Sequence, residues 1–137
     1  MTTRTRHITH WFLRLIAAFI MAQTLLFKFM GDSESIYIFS SLSMEPWGRY
    51  GIGIMELGAS VLLVRPSTTA FGAVVGVGLM TGAIYFHLFK LGIAVQDDHG
   101  QLFAYACLVF ICCVILVYMN RRQIFLVLKS NRPWAKR

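Results

Sequence analysis

Charge is scarce in this chain. Only 14% of its 137 residues are Asp, Glu, Lys or Arg, whereas ordinary soluble domains carry about 25%. A chain this short has too much surface for so few charges to cover. The shortage excludes a soluble enzyme and a disordered tail. With 57% hydrophobic residues and a mean hydropathy of +0.63, it points to a membrane protein. Acids are scarcer than bases, 6 against 13, giving a formal net charge of +7.

Other absences narrow the chemistry. The 3 cysteines, Cys107, Cys112 and Cys113, share one apolar stretch. An odd number there is no disulfide framework, and they read as small buried apolar side chains. There is no H-x-x-x-H or C-x-x-C spacing, and Met44-Glu45 and Asp97-Asp98-His99 offer only weak ligands, so no metal site is expected. His7 and His10 lie far along the chain from His87 and His99, at opposite expected membrane faces, which disfavours a bis-histidine haem. No phosphate loop, G-x-S-x-G or paired-carboxylate motif is present. No nucleic-acid reading motif accompanies the basic residues either, so no nucleic-acid partner is expected.

Four apolar windows of membrane length are present, about Trp11 to Met30, Trp47 to Val64, Thr69 to Leu91 and Leu102 to Met119. They predict one domain, an all-α membrane protein built as an antiparallel four-transmembrane-helix bundle. A cleaved signal peptide is the rival reading of the first window, but no A-x-A-like site follows it and Lys28 lies where mature sequence would begin.

Loop charge sets the expected direction. Residues 31–46 hold Asp32, Glu34 and Glu45 and residues 92–101 hold Asp97 and Asp98, with no Lys or Arg in either. Arg4, Arg6 and Arg65 occupy the N-terminus and the short middle turn. Arg121, Arg122, Lys129, Arg132, Lys136 and Arg137 occupy the tail, residues 120–137. Basic segments resist translocation, so both termini are expected in the cytoplasm and the acidic loops outside an inner (plasma) membrane. The tail carries Ile124 to Leu128 between basic residues. It reads either as a segment lying on the inner leaflet or as a frayed end of the fourth helix.

The third window is rich in small residues. Gly72/Gly76 and Gly78/Gly82 are two G-x-x-x-G pairs, and Gly51, Gly58 and Ala59 give the second window similar surfaces. Such residues allow close helix approach. The expectation is packing inside the bundle, with a homodimer or larger complex through the four-glycine face as the sharper alternative.

Ionisable residues at depth need a partner, a water path or a role. Lys28 and His87 lie near the outer ends of the first and third windows, and Arg49 lies at the outer start of the second. Glu56 lies about nine residues, roughly 13 Å, below Trp47, too deep for its short side chain to reach water. It must be protonated or paired with Lys28, Arg49 or His87. A carboxyl and an imidazole in an outer-leaflet pocket could bond the two oxygens of a quinone and pass protons to water. Tyr85, Tyr105 and Phe86 would supply aromatic walls. The candidate cofactor-binding residues are therefore Glu56, His87, Lys28, Arg49 and Tyr85, and the same group could instead serve only to hold the bundle together.

Three stretches carry a resemblance to the DoxX/DoxX-like family of small four-helix membrane proteins. They are Arg14-Leu15 through Phe27-Lys28-Phe29, Gly53-Ile-Met-Glu56-Leu57-Gly58 with the later Arg65-Pro66, and Met80-Thr-Gly-Ala-Ile-Tyr-Phe-His87-Leu88. The resemblance spans roughly residues 13–122. Ala17-Ala18 stands where that family commonly has glycine. The resemblance implies an accessory subunit of a quinone-linked redox system, or an assembly factor for other membrane proteins, with Lys28, Glu56 and His87 at the matching positions.

Overall fold

The structure, a computed structural model, describes residues 3–130. Arg132, Trp134, Lys136 and Arg137 of the basic tail lie outside the described residues. Among the described residues every regular element is helical: α1 (Thr3–Met30), α2 (Ser33–Ser41), α3 (Trp47–Val64), α4 (Thr69–Phe86), α5 (Gln101–Met119) and α6 (Arg121–Ser130). A π-helical turn, His87–Leu91, prolongs α4.

Local chemistry sets the boundaries. Nothing in residues 4–10 breaks a helix, so α1 begins well before Trp11. Its 28 residues span roughly 42 Å, more than the ~30 Å of a hydrocarbon core. Asp32 opens α2 by accepting the Glu34 N–H at 3.2 Å, as an N-cap aspartate does. α3 stops at Arg65, held extended (φ −83°, ψ 120°), because the ring of Pro66 disfavours a helical residue before it. The π turn ends at Gly92, whose φ of +87° is a left-handed conformation that glycine adopts cheaply.

α1 packs on α3 and α5, and α4 packs on the same two helices. Ala17, Met21, Leu63, Ala73, Val109 and Cys113 are wholly or almost wholly buried between them. Phe12, Phe19, Ile54, Val61, Phe89 and Ile111 point outward and are more than half exposed. A water-soluble domain rarely leaves so much large apolar surface uncovered. The segments Arg4–Met30, Thr69–Leu91 and Gln101–Met119 are long and apolar enough to cross a membrane. α3, which carries Arg49 and Glu56, is not among these three.

The four glycines of α4 separate into two pairs. A Cβ on Gly72 would lie 2.7 Å from the Leu63 backbone nitrogen, and one on Gly76 would lie 2.6 Å from Cys113 Sγ. These two are therefore used up by packing within the chain, against α3 and α5. A Cβ on Gly78 or Gly82 would meet nothing within 4 Å. The expected packing inside the bundle thus holds for Gly72 and Gly76, while Gly78 and Gly82 stay open.

At the end bearing the Arg65-Pro66 turn, long-range ties hold the helices together. Arg14 is 1% exposed. Its Nε donates to the Leu63 carbonyl at 2.7 Å and its Nη2 to the Val64 carbonyl, while Trp11 stacks 4.0 Å from the guanidinium. It thereby satisfies carbonyls that the last turn of α3 leaves open and places positive charge at that helix terminus. Arg6 donates to the Met119 carbonyl at 3.1 Å, Asn120 and His10 meet at 2.8 Å, and Gln123 donates to the Ser67 carbonyl at 2.8 Å. The tail segment is a separate helix, α6, packed on α4 and α5, with Phe125 and Leu126 exposed beside Arg121 and Arg122.

The glycine split gives a direct test. Gly72→Ala should lower thermal stability by about 1–3 kcal/mol, the usual cost of overpacking. Gly78→Ala should be neutral or stabilising by up to ~1 kcal/mol, since alanine is the better helix former. Melting of the two variants in one detergent checks this, and equal destabilisation would contradict the packing described.

Candidate functional site

Glu56 sits on the inward face of α3 and is 5% exposed. One turn of α1 brings Lys28 to it: Nζ lies 3.1 Å from Oε1, as a hydrogen bond, and 2.8 Å from Oε2. The shorter approach is an ion-pair contact without hydrogen-bond alignment, which leaves Oε2 buried and without a donor aimed at it. The Thr24 hydroxyl flanks the same carboxylate, although it also donates to the Met21 carbonyl at 3.0 Å. Removing either partner would leave a lone charge in an apolar surround, a loss of several kcal/mol.

The pair forms part of the wall of a cavity of about 480 Å³, within the ~300–1,000 Å³ range common for ligand sites. All four long helices contribute. Met21, Met80, Ala106 and Val109 line its apolar inner part, while His87, Gln101 and Tyr105 join Lys28 and Glu56 in its polar part. α2 covers the end nearest the acidic loops through Ser35, Ile38, Phe39 and Leu42, which recur at helical spacing on its inner face.

His87 opens the π turn and is 5% exposed. Such turns interrupt α-helices often at functional positions. Its Nδ1 lies 2.9 Å from the Gly92 carbonyl. A carbonyl can only accept, so Nδ1 carries the proton, and in the neutral ring Nε2 is left with a lone pair. Among the described residues Nε2 has no hydrogen-bond partner. The ring packs edge-on against Phe103 at 5.7 Å.

Three of the five residues singled out from the sequence, Lys28, Glu56 and His87, thus share one cavity. The other two lie elsewhere. Arg49 is 5% exposed, but it is clamped by Glu45 (2.7–3.0 Å) and donates to the Lys28 carbonyl. It ties the start of α3 to the end of α1 and does not line the cavity. Tyr85 is 53% exposed and stacks on Phe89 at 4.8 Å, on the outward face of α4. Phe86 and Tyr105 line the cavity in its place, and Gln101 donates to the Tyr105 oxygen at 2.6 Å. No group of three His, Cys, Asp or Glu side chains suited to a metal occurs among the described residues.

Two residues that the sequence presented only as loop acids belong to the cavity lining. Asp98 accepts from the backbone N–H groups of Val95, Gly100 and Leu102 at 2.7, 2.9 and 3.0 Å. Burial works to raise its carboxyl, but these three donors outweigh it and hold the group below its ordinary range. Glu34 is pushed the other way, first by burial and then by the neighbouring Asp98 and Asp32. One of its oxygens is buried with no partner. Both carboxylates lie on the cavity lining.

The two shifts act on stability in opposite directions. Glu34 binds its proton more tightly folded than unfolded, so its contribution is favourable below about 4.5 and is lost as pH rises above that value. Glu34→Gln should therefore raise the melting temperature at pH 7 and leave it unchanged near pH 4. Asp98 stabilises above about 3.8 and loses this as pH falls, so Asp98→Asn should lower the melting temperature at pH 7. Melting curves from pH 4 to 8 check both. A Glu34→Gln variant less stable than the parent at pH 7 would contradict the reading.

Comparison with protein-family models, with curated proteins and with solved structures finds no match for this chain, so the family resemblance rests on the three sequence stretches that carry it.

Proposed function

We propose that the chain is a DoxX-like four-span protein of the inner membrane, with both termini cytoplasmic, and an accessory subunit that binds a quinone in its outer half. The observation that carries this reading is the cavity itself: one apolar chamber whose wall holds a buried Lys28–Glu56 pair and an imidazole with a free acceptor nitrogen. α3 completes the four spans because its two charged side chains are neutralised inside the protein by Lys28 and Glu45. Buried charges at membrane depth are expensive, and pairing inward removes the penalty of facing lipid.

A ring with two oxygens fits the chemistry present. Lys28 is a donor to a carbonyl oxygen. Nε2 of His87 and the carboxylate of Glu56 are acceptors for the hydroxyl groups of the reduced ring. Oxidation of that quinol releases two protons and two electrons. His87 would take one proton at Nε2 and the Glu56 carboxylate the other, and Asp98 and Glu34 line the same cavity. The electrons must leave to a redox partner, which is why the chain reads as an accessory subunit.

A second reading has its own observation. Gly51 and Gly58 are exposed on α3, two turns apart, and a Cβ on either would meet nothing within 4 Å. That open strip suits close approach by a helix of another membrane protein, or of a second copy, as an assembly factor or structural subunit would need.

The purified protein should bind a benzoquinone or its quinol. Glu56→Gln and His87→Ala should each weaken binding by about tenfold, the scale of one lost charge-assisted hydrogen bond. Titration in nanodiscs checks this. No binding by the parent, or unchanged binding by both variants, would remove the quinone reading. A stoichiometric protein partner co-purifying without quinone would favour the second.

A further inference from the structure

α3 and α4 are joined by the short Arg65–Thr68 turn and run in opposite directions from it. Next to the turn they press together, with the Gly72 position 2.7 Å from the Leu63 backbone. Further along they do not. On α4, at ~100° per residue, Gly82 lies about 80° around from Gly72, which touches Leu62 and Leu63, on the side away from Gly76 and its Cys113 contact, and so on the flank toward α3, while Gly78 lies at the exposed outer edge of that flank. On α3, Ile52 and Met55 lie on the flank facing α4, the side from which Leu62 reaches Gly72. Between these two flanks a Cβ on Gly78 or Gly82 would meet no atom within 4 Å. Gly78 is exposed and Met55 is 48% exposed, yet both line the cavity.

We propose that this gap between Ile52/Met55 and Gly78/Gly82 is a lateral window, through which the apolar tail of a membrane-dissolved ligand lies while its polar ring sits at Lys28, Glu56 and His87. The proposal rests on the quinone reading for the ring and adds where the ligand comes from and what it must carry. The depth fits. Gly78 and Gly82 flank the middle of the Thr69–Leu91 segment, so the window opens near the centre of a bilayer, where isoprenoid or alkyl chains reside. The opposite approach is covered, because α2 lays Ile38, Phe39 and Leu42 over the acidic-loop end. His87, 5% exposed with its Nε2 unpartnered among the described residues, gives the same chamber a polar group for a ring to meet. Two missing side chains on one helix flank, opposite a flexible methionine, provide a passage that needs no helix movement.

The window is tested separately from the ring. A benzoquinone bearing a ten-carbon tail with a terminal diazirine is incorporated into nanodiscs with the full chain, irradiated, and the labelled peptides are read by mass spectrometry. The expected result is labelling at Met55 and Met80 in the parent. It should fall by about tenfold when leucines block the gap, in Gly78→Leu and Gly82→Leu. Gly58→Leu, on the open outer face of the same bundle, should label as the parent does, and melting of each variant confirms folding. No labelling of Met55 and Met80 in the parent, or equal labelling after the gap is blocked, overturns the window. An excess of the tail-less ring should displace the label. Labelling that depends on the window but resists that competitor sustains the window and sinks the seat at Glu56 and His87.

Discussion

The arrangement turns on one buried ion pair. Glu56 cannot reach water from the middle of α3, and Lys28 meets it 2.8 Å away from the last turns of α1. In an apolar surround neither charge is tolerable alone, so each fixes the other's helix in depth and rotation. That constraint places Gly53 against Phe29 and Leu25. It also puts the carboxylate on the cavity wall instead of against lipid. The clamp from Arg49 to Glu45 and to the Lys28 carbonyl repeats the logic one level nearer the acidic loops.

The two ends of the molecule use charge differently. Around Arg14 the guanidinium Nε and Nη2 are spent on the Leu63 and Val64 carbonyls of α3, and the neighbouring core is filled by Ala17, Leu63 and Ala73. Around His87 the opposite holds: a π turn, an imidazole with an unused nitrogen, and the carboxylates of Glu34 and Asp98 gather where side chains leave space. One end is closed by satisfied hydrogen bonds and the other keeps chemistry available.

Much of this was legible in the sequence, for identifiable reasons. The bounds of α3 are set by Pro46 and Pro66, and the long apolar windows recur as helices. Lys28 and Glu56 stood out because depth alone makes each expensive. What depth does not give is direction around a helix. Tyr85 is two residues from His87, about 200° around the helix at ~100° per residue, so it faces away from the cavity, and that period was available to be read. Arg49 does share the Glu56 face but has a nearer acid, Glu45, at the i−4 position, a pairing that spacing also offered. The burial of Arg14 follows from α1 starting at Thr3, eight residues before the first apolar window, which puts this residue inside the helix instead of near its end. α2 lies within the acidic stretch 31–46, where the charge pattern alone indicates a loop. Its marks are Asp32 at the N-cap and the Ser35, Ile38, Phe39, Leu42 spacing, and a nine-residue helix gives too short a pattern to stand out. A polar outer pocket was legible from Lys28, Glu56 and His87, but its extent was not, because it is set by how the lining side chains of five helices pack.

The most direct measurement is a double-mutant cycle on the ion pair, with Lys28→Met, Glu56→Leu and the pair combined, each followed by reversible unfolding in mixed micelles. The account expects each single change to cost about 3–5 kcal/mol by stranding a buried charge. The double variant should recover most of that loss, giving a coupling above ~2 kcal/mol. Additive losses, with the double variant as unstable as the two singles summed, would contradict it.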